Sequence, residues 1–238
     1  MVQTIPRRTF LALTGVSLVS PTLGLGEDDP PKVLDHILLG CSDLDRGIAF
    51  VEEQLGVRAA FGGVHPGRGT RNALLSLAER QYLEIIAPDP QQSHAPDNYG
   101  LKELTGPGLV GWAAHPGDLS QLAARLRSAN IPFDGPTPGS RKRPDGRLLQ
   151  WQTLNLKDNQ SGLLPFFIEW SPSTIHPSVD APIGCKLDRF EISTSNDVEL
   201  QRLSSLLSLD VHVGHAEKPE LHARIAGPNS RVMRLNSR

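Results

Sequence analysis

Along the chain, short apolar runs and single amphipathic segments alternate in a fixed order. Val33 to Gly40 is apolar on both faces apart from Asp35 and His36, the pattern of a strand buried within a sheet. Ser42 or Asp43 then offers a cap to a helix that carries Leu44, Ile48, Val51 and Leu55 on one face and closes at Gly56. Three strand-like runs follow, Val57 to Phe61, Ala73 to Leu77 and Gln81 to Ile86, parted by a Gly-rich stretch and an Ala-Glu-Arg turn. The order is βαβββ.

The same order returns twice. Leu109 to Ala114 reads as a strand, and Asp118 caps a helix with Leu119, Leu122, Ala123 and Leu126 on one face. Strands near Leu148 to Leu154 and Pro165 to Trp170 come next. A third copy runs Lys186 to Thr194, Asn196 to Leu207 (helix), then Val211 to Gly214, Leu221 to Ala226 and Val232 to Leu235. Asp43, Asp118 and Asp197 recur at helix starts with spacings of 75 and 79 residues, an internal repeat too long for a solenoid unit. The pattern predicts an α+β fold of tandem modules at 33–104, 105–180 and 181–238.

The first 26 residues read as an address. Arg7-Arg8 precedes a mildly apolar run that ends near Val19, too short for a bilayer span of ~20 residues. Paired arginines before such a stretch resemble a twin-arginine signal, which implies export to a periplasmic or extracellular location. A short amphipathic leader retained in the cytoplasm is the alternative. Residues 27–32 form a polar, proline-ended linker. No later segment is long and apolar enough to be an integral membrane span.

Composition narrows the function. With 24 basic and 26 acidic residues the formal charge is −2, so nothing drives the whole chain toward nucleic acid or an anionic membrane. Aromatics at 5% do not supply a stacking platform for single strands. Two cysteines, Cys41 and Cys185, exclude a disulfide framework and a cysteine-rich zinc site, although export would let one bond persist. No Gly-Lys-Ser/Thr phosphate loop and no Gly-x-Ser-x-Gly elbow is present, which argues against a nucleotide cofactor and a serine hydrolase.

Leu34-Asp35-His36-Ile37, the run Gly63-Val64-His65-Pro66-Gly67-Arg68-Gly69-Thr70-Arg71-Asn72-Ala73-Leu74-Leu75-Ser76-Leu77, and Tyr82-Leu83-Glu84-Ile85-Ile86-Ala87-Pro88 resemble the glyoxalase-like branch of the vicinal oxygen chelate superfamily. Pro165-Phe166-Phe167-Ile168-Glu169-Trp170 fits the second module. The resemblance covers residues 33 to 180 well and the third module only by element order. It implies cupped mixed sheets with helices on the outside and a small-molecule site inside a cup between two paired modules. The superfamily holds lyases, isomerases and epimerases, ring-cleaving dioxygenases, modifying transferases and metal-free sequestering proteins.

Carried over residue by residue, the metal pattern of that superfamily is incomplete here. His36 falls on the first strand, Glu84 on the fourth, and Glu169 on the fourth strand of the second module. The remaining slot falls on Gly111, which cannot ligate, and His115 lies ~13 Å further along the strand. His36, Glu84 and Glu169 with one open position would suit Zn, Mn or Ni. Physics draws attention to the same carboxylates. Glu84 stands between Leu83 and Ile85, and Glu169 between Ile168 and Trp170, where an unpaired charge is costly. Pairing to arginines, or exposure across a cleft, is the alternative.

Two basic, Gly-rich stretches sit at equivalent places, Gly62 to Asn72 and Gly139 to Arg147. Their convergence on one rim would bring His65, Arg68, Arg71 and Arg143 to a small oxygenated, anionic ligand. Two flexible, solvated turns are the plainer reading. The sequence therefore points to a metal-dependent lyase or isomerase in which Glu169 or Glu84 moves a proton beside a carbonyl. The alternative is a metal-free binding or sequestering protein. A homodimer is expected if the third module pairs across a two-fold interface.

Overall fold

A computed structural model describes residues 29–97, 99–157, 159 and 162–237. The expected leader lies outside these residues, as does the start of the linker. The first five elements are β1 (Leu34–Gly40), α1 (Leu44–Leu55), β2 (Ala60–His65), β3 (Thr70–Ala78) and β4 (Gln81–Pro88). The next five repeat them: β5 (Gly108–Ala114), α2 (Leu119–Ser128), β6 (Phe133–Lys142), β7 (Leu148–Leu156) and β8 (Phe166–Trp170). A short helix, α3 (Pro177–Asp180), leads to β9 (Lys186–Thr194), α4 (Asp197–Leu206), β10 (His212–His215), β11 (Glu220–Ala226) and β12 (Val232–Asn236).

The first eight strands form one sheet in the order β2-β3-β4-β1-β5-β8-β7-β6. β1 and β5 run antiparallel at its centre, and each is flanked by the fourth strand of its own module in parallel. β1 is buried at all seven positions, as its two apolar faces require. The edges curl toward each other until the guanidinium of Arg141 on β6 donates to the carbonyl of Gly62 on β2. The result is a mixed α+β fold with a half-barrel sheet whose inner face is a cup. α1 and α2 cover the outer face, burying Leu44, Ile48, Val51 and Leu55 from one and Leu119, Leu122, Ala123 and Leu126 from the other. Each such large aliphatic side chain contributes about 1.5–3 kcal/mol. Asp43 caps α1 by accepting from Arg46 N at 2.9 Å, and Asp118 caps α2 by accepting from Ser120 N and Gln121 N.

Three local readings are corrected. Residues 133–142, Phe-Asp-Gly-Pro-Thr-Pro-Gly-Ser-Arg-Lys, carry loop chemistry yet form β6. Prolines are tolerated there because β6 is an edge strand with a register shift between Asp134 and Thr137. β2 begins three residues later than the pattern indicates and runs to His65, while β3 begins at Thr70. The expected loop from Gly62 to Asn72 is thus mostly hairpin, turning only over residues 66–69.

The third copy matches in element order but not in pairing. Its sheet runs β10-β9-β11-β12, so the first strand pairs with the second and third strands rather than with the fourth. Phe190 of β9 packs on Trp112 of β5 at 5.1 Å, and Arg231 donates to Glu53 O at 2.7 Å. Leu187, Ile192, Leu221, Ile225, Met233 and Leu235 join the same core as β1 and the two outer helices. The third copy thus packs its apolar side chains into the core of its own chain. Among the described residues no helix is long and apolar enough to cross a membrane, and Cys41 and Cys185 are both free.

Candidate functional site

Strand periodicity decides which side chains enter the cup. Thr70 and Asn72 of β3, Tyr82, Glu84 and Ile86 of β4, and His36 and Leu38 of β1 line one wall. Trp151, Thr153 and Asn155 of β7 with Phe166, Ile168 and Trp170 of β8 line the other. Together with Pro138 to Arg141 of β6, and with His65, Pro66 and Arg68 near the β2–β3 turn, they enclose about 760 Å³. One wall is polar and ionisable. The other is largely aromatic and apolar.

The polar wall is organised around His36. Between Leu34 and His36 the β1–β5 ladder shifts register, which makes Asp35 the additional residue of a bulge. A bulge re-aims a side chain that alternation would otherwise turn away. Asp35 Oδ1 lies 2.7 Å from His36 Nδ1, and its Oδ2 accepts from Trp170 Nε1 at 3.0 Å and faces His176 Nε2 at 3.2 Å. On the far side, His36 Nε2 is 3.3 Å from Glu84 Oε2. The imidazole stacks on Tyr82 at 4.5 Å and meets the edge of Phe166 at 5.5 Å.

Both nitrogens of His36 therefore face carboxylates. Burial alone would depress its pKa, but the hydrogen bonds to Asp35 and Glu84 prevail and hold it at about 9. Burial likewise opposes ionisation of Glu84, yet the hydrogen bond and charge of His36 bring it down to about 2. Asp35 is also held well below its ordinary value against its burial, by His176 and His36. The second oxygen of Glu84 accepts from Asn72 Nδ2 at 2.6 Å and lies 3.6 Å from His65 Nε2. His65 Nδ1 pairs with Thr70 Oγ1 at 2.8 Å, and burial lowers this imidazole to about 4, so it is neutral at pH 7.

The sequence-based candidates divide. His36, Glu84, His65 and Arg68 all line the cup. Glu169 does not. It alternates with the cup-facing Ile168 and Trp170, is exposed on the outer face, and accepts from Leu119 N at the start of α2 at 2.8 Å. A carboxylate there favours the helix N-terminus. Arg71 alternates with Thr70 and Asn72 and lines an outer groove with Leu44, Ile48 and Phe61. Arg143 binds Asp180 at 2.8 Å and Asp145 at 3.6 Å and is likewise absent from the lining. The expected rim of Arg68, Arg71 and Arg143 is therefore not assembled.

The expected metal set fails the same geometric test. Glu84 and Glu169 occupy opposite faces, Gly111 offers no donor, and His36 is committed on both nitrogens to carboxylates. Among the described residues no group of three or more His, Cys, Asp or Glu side chains is arranged to hold a metal ion. The donor set does not fit the implied ion.

Sequence reasoning passed over Arg141, Trp151, Tyr82 and Asn72. Arg141 was hidden inside a run of basic residues that read as a solvated turn. Nothing in the basic run itself singles it out; its burial follows from residues 133–142 forming an edge strand.

A family model described as a glyoxalase-like domain matches residues 34–207. No curated protein matches the chain. Among solved structures, a hypothetical protein from Staphylococcus aureus shares 18% identity at a TM-score of 0.60, covering 86% of each chain. Methylmalonyl-CoA epimerase from Mycobacterium tuberculosis shares 23% identity at a TM-score of 0.46, covering 60% of this chain and 91% of its own. The first of these likenesses speaks for the fold alone.

Proposed function

We propose that this chain, which belongs to the glyoxalase-like domain family, binds a small oxygenated molecule in its cup without a resident metal. The observation that carries the reading is the separation of Glu84 from Glu169. A cup of about 760 Å³ persists, with one polar and one aromatic wall, where the expected metal ligands fail to meet. Such a concave site, with fixed polar groups on one wall and an aromatic surface on the other, suits small-ligand recognition. The bonds from Asp35 to His36 and from Asn72 to Glu84 hold the polar wall in place before any ligand arrives.

The test is ligand-observed NMR on chelator-treated protein with a panel of small aldehydes, ketones and carboxylates. Binding by the native chain and its loss in Thr153→Phe, which fills the cup, is the expected result. Equal signals from both proteins would refute the reading.

One observation favours a second reading, proton-transfer catalysis on the bound molecule. His36 and Glu84 form a charged acid–base pair that faces the cup, and strongly shifted groups gather at functional sites. In that reading a ligand oxygen would take the Nε2 proton of His36 in place of Glu84, and the freed carboxylate would accept a proton from the neighbouring carbon. Exchange of ligand C–H protons in deuterium oxide, lost in His36→Gln and Glu84→Gln, tests it. The Arg7-Arg8 pair supports placing either activity outside the cytoplasm.

A further inference from the structure

Arg141 is a buried cation that none of the ion pairs among the described residues includes; the charge of Glu84 acts on it from beyond ion-pair distance. Arg141 is 4% exposed, lines the cup, and its assigned hydrogen bond runs to the neutral carbonyl of Gly62. No carboxylate among the described residues lies within ion-pair distance of it. Its basic neighbours differ: Arg143 is bound by Asp180 and Asp145, and Arg147 by the same two acids. The acids that line the cup are also engaged, Glu84 by His36 and Asn72 and Asp134 by Lys157 at 3.0 Å, and Asp35 behind the wall is held by His36, His176 and Trp170.

A desolvated guanidinium with no ion-pair partner is destabilising, and burial outweighs the more distant charge of Glu84 and draws its pKa below the ordinary value. Such a group is retained at a cost unless something outside the chain completes it. The cup itself defines that ligand's other end. Trp151 and Trp170 meet at 5.4 Å and, with Phe166 and Ile168, offer apolar and aromatic surface on the adjoining wall. Arg68 stands on the lining at the β2–β3 turn, adding positive charge.

We propose that Arg141 is the anion-recognising group of the cup and that the ligand is a carboxylate on an apolar, aromatic-sized body. A planar guanidinium fork matches a carboxylate in geometry as well as charge. The carboxylate takes the open edge of Arg141, and the body lies against the indoles of Trp151 and Trp170. This inference rests on the reading that the cup is the ligand site, and it names the class of molecule that the site takes.

Calorimetric titration of the full chain with benzoate, benzamide and inorganic phosphate tests it, using the native protein, R141Q, R141K and T153F. Native protein is expected to bind benzoate and to bind its uncharged amide at least tenfold more weakly. Loss of one charge-assisted hydrogen bond predicts a drop of about 10- to 100-fold for R141Q. R141K, which keeps the charge without the fork, is expected to fall between the two. Thermal melts of both variants check that the fold persists, and a benzamide affinity unchanged in R141Q shows that the cup is intact. Equal affinities for benzoate and benzamide, benzoate binding unaffected by R141Q, or no benzoate binding at all would overturn the assignment to Arg141. Arginine-dependent binding of phosphate but not benzoate would overturn the carboxylate class. Benzoate binding that survives in T153F would instead overturn the cup as the ligand site.

Discussion

Glu84 and Glu169 lie on opposite faces of one eight-stranded sheet. Glu84 points into the cup against His36 and Asn72, whereas Glu169 points out and receives the Leu119 N–H of α2. Carboxylates on the fourth strands of two repeats thus perform different tasks. One carboxylate belongs to the pocket, and the other belongs to a helix terminus.

Glu169→Gln is accordingly expected to be a mild stability variant. Loss of a carboxylate at a helix N-terminus costs about 0.3–1 kcal/mol, and salt shrinks the difference. Urea denaturation at low and high ionic strength checks this. A destabilisation several times larger would mean that the carboxylate is buried and paired elsewhere.

Stability should depend on pH through His36 and Glu84. A histidine raised from 6.5 to about 9 stabilises the fold fully below pH 6.5 and loses that contribution as pH climbs through about 9. Glu84, lowered from 4.5 to about 2, contributes above pH 4.5 and loses its contribution as pH falls through about 2. His65 works against the fold on the acid side, because a neutral buried imidazole held at about 4 resists the proton that the unfolded chain takes up below 6.5. The stability gap between native protein and His36→Gln should therefore narrow above neutral pH. Denaturant midpoints of both proteins across that range provide the check, and a gap that widens with pH would contradict the assignment.

Gly62 keeps Asn72 in place. A β-carbon at Gly62 would stand 2.5 Å from Asn72 Oδ1 and 2.9 Å from Leu74 Cγ. Gly62→Ala is expected to cost about 1–3 kcal/mol, the usual range for overpacking, and to pull Asn72 away from Glu84. The calorimetric midpoint reports the first effect. The His36 imidazole resonance reports the second, since Glu84 would turn toward it.

Much of this fold was legible beforehand, and the reasons are local. β1, α1, β4 and α2 carry unbroken apolar periodicity, the two helices with Asp caps, so their places followed from pattern. β6 did not, because edge position and a register shift permit Gly and Pro where a central strand forbids them. That one miss hid Arg141, whose burial depends on the strand being there. The face taken by Glu169 was also unreadable, since Phe166 to Trp170 is apolar on both sides and period two alone does not say which side is the cup. In the third copy the element order was readable, while the pairing of β9 with β10 and β11 was not, since element order does not say which strands are neighbours.

The proposed export rests on Arg7-Arg8 and the short apolar run that follows them. Replacing both with lysine is expected to hold the full-length precursor in the cytoplasm, read by fractionation and immunoblotting. Unchanged processing and export of that variant would remove the twin-arginine assignment and leave the cup chemistry untouched.

Metal dependence of ligand binding tests the central claim most directly. Chelator-treated native protein and the variants Glu84→Gln and Glu169→Gln would be titrated with the same small carbonyl and carboxylate panel, before and after addition of Zn, Mn or Ni. Binding by the native protein without metal, unchanged in Glu169→Gln and altered in Glu84→Gln, is the expected result. Binding that appears only with added metal, and is lost equally in both variants, would contradict the account and bring the two glutamates back to one site.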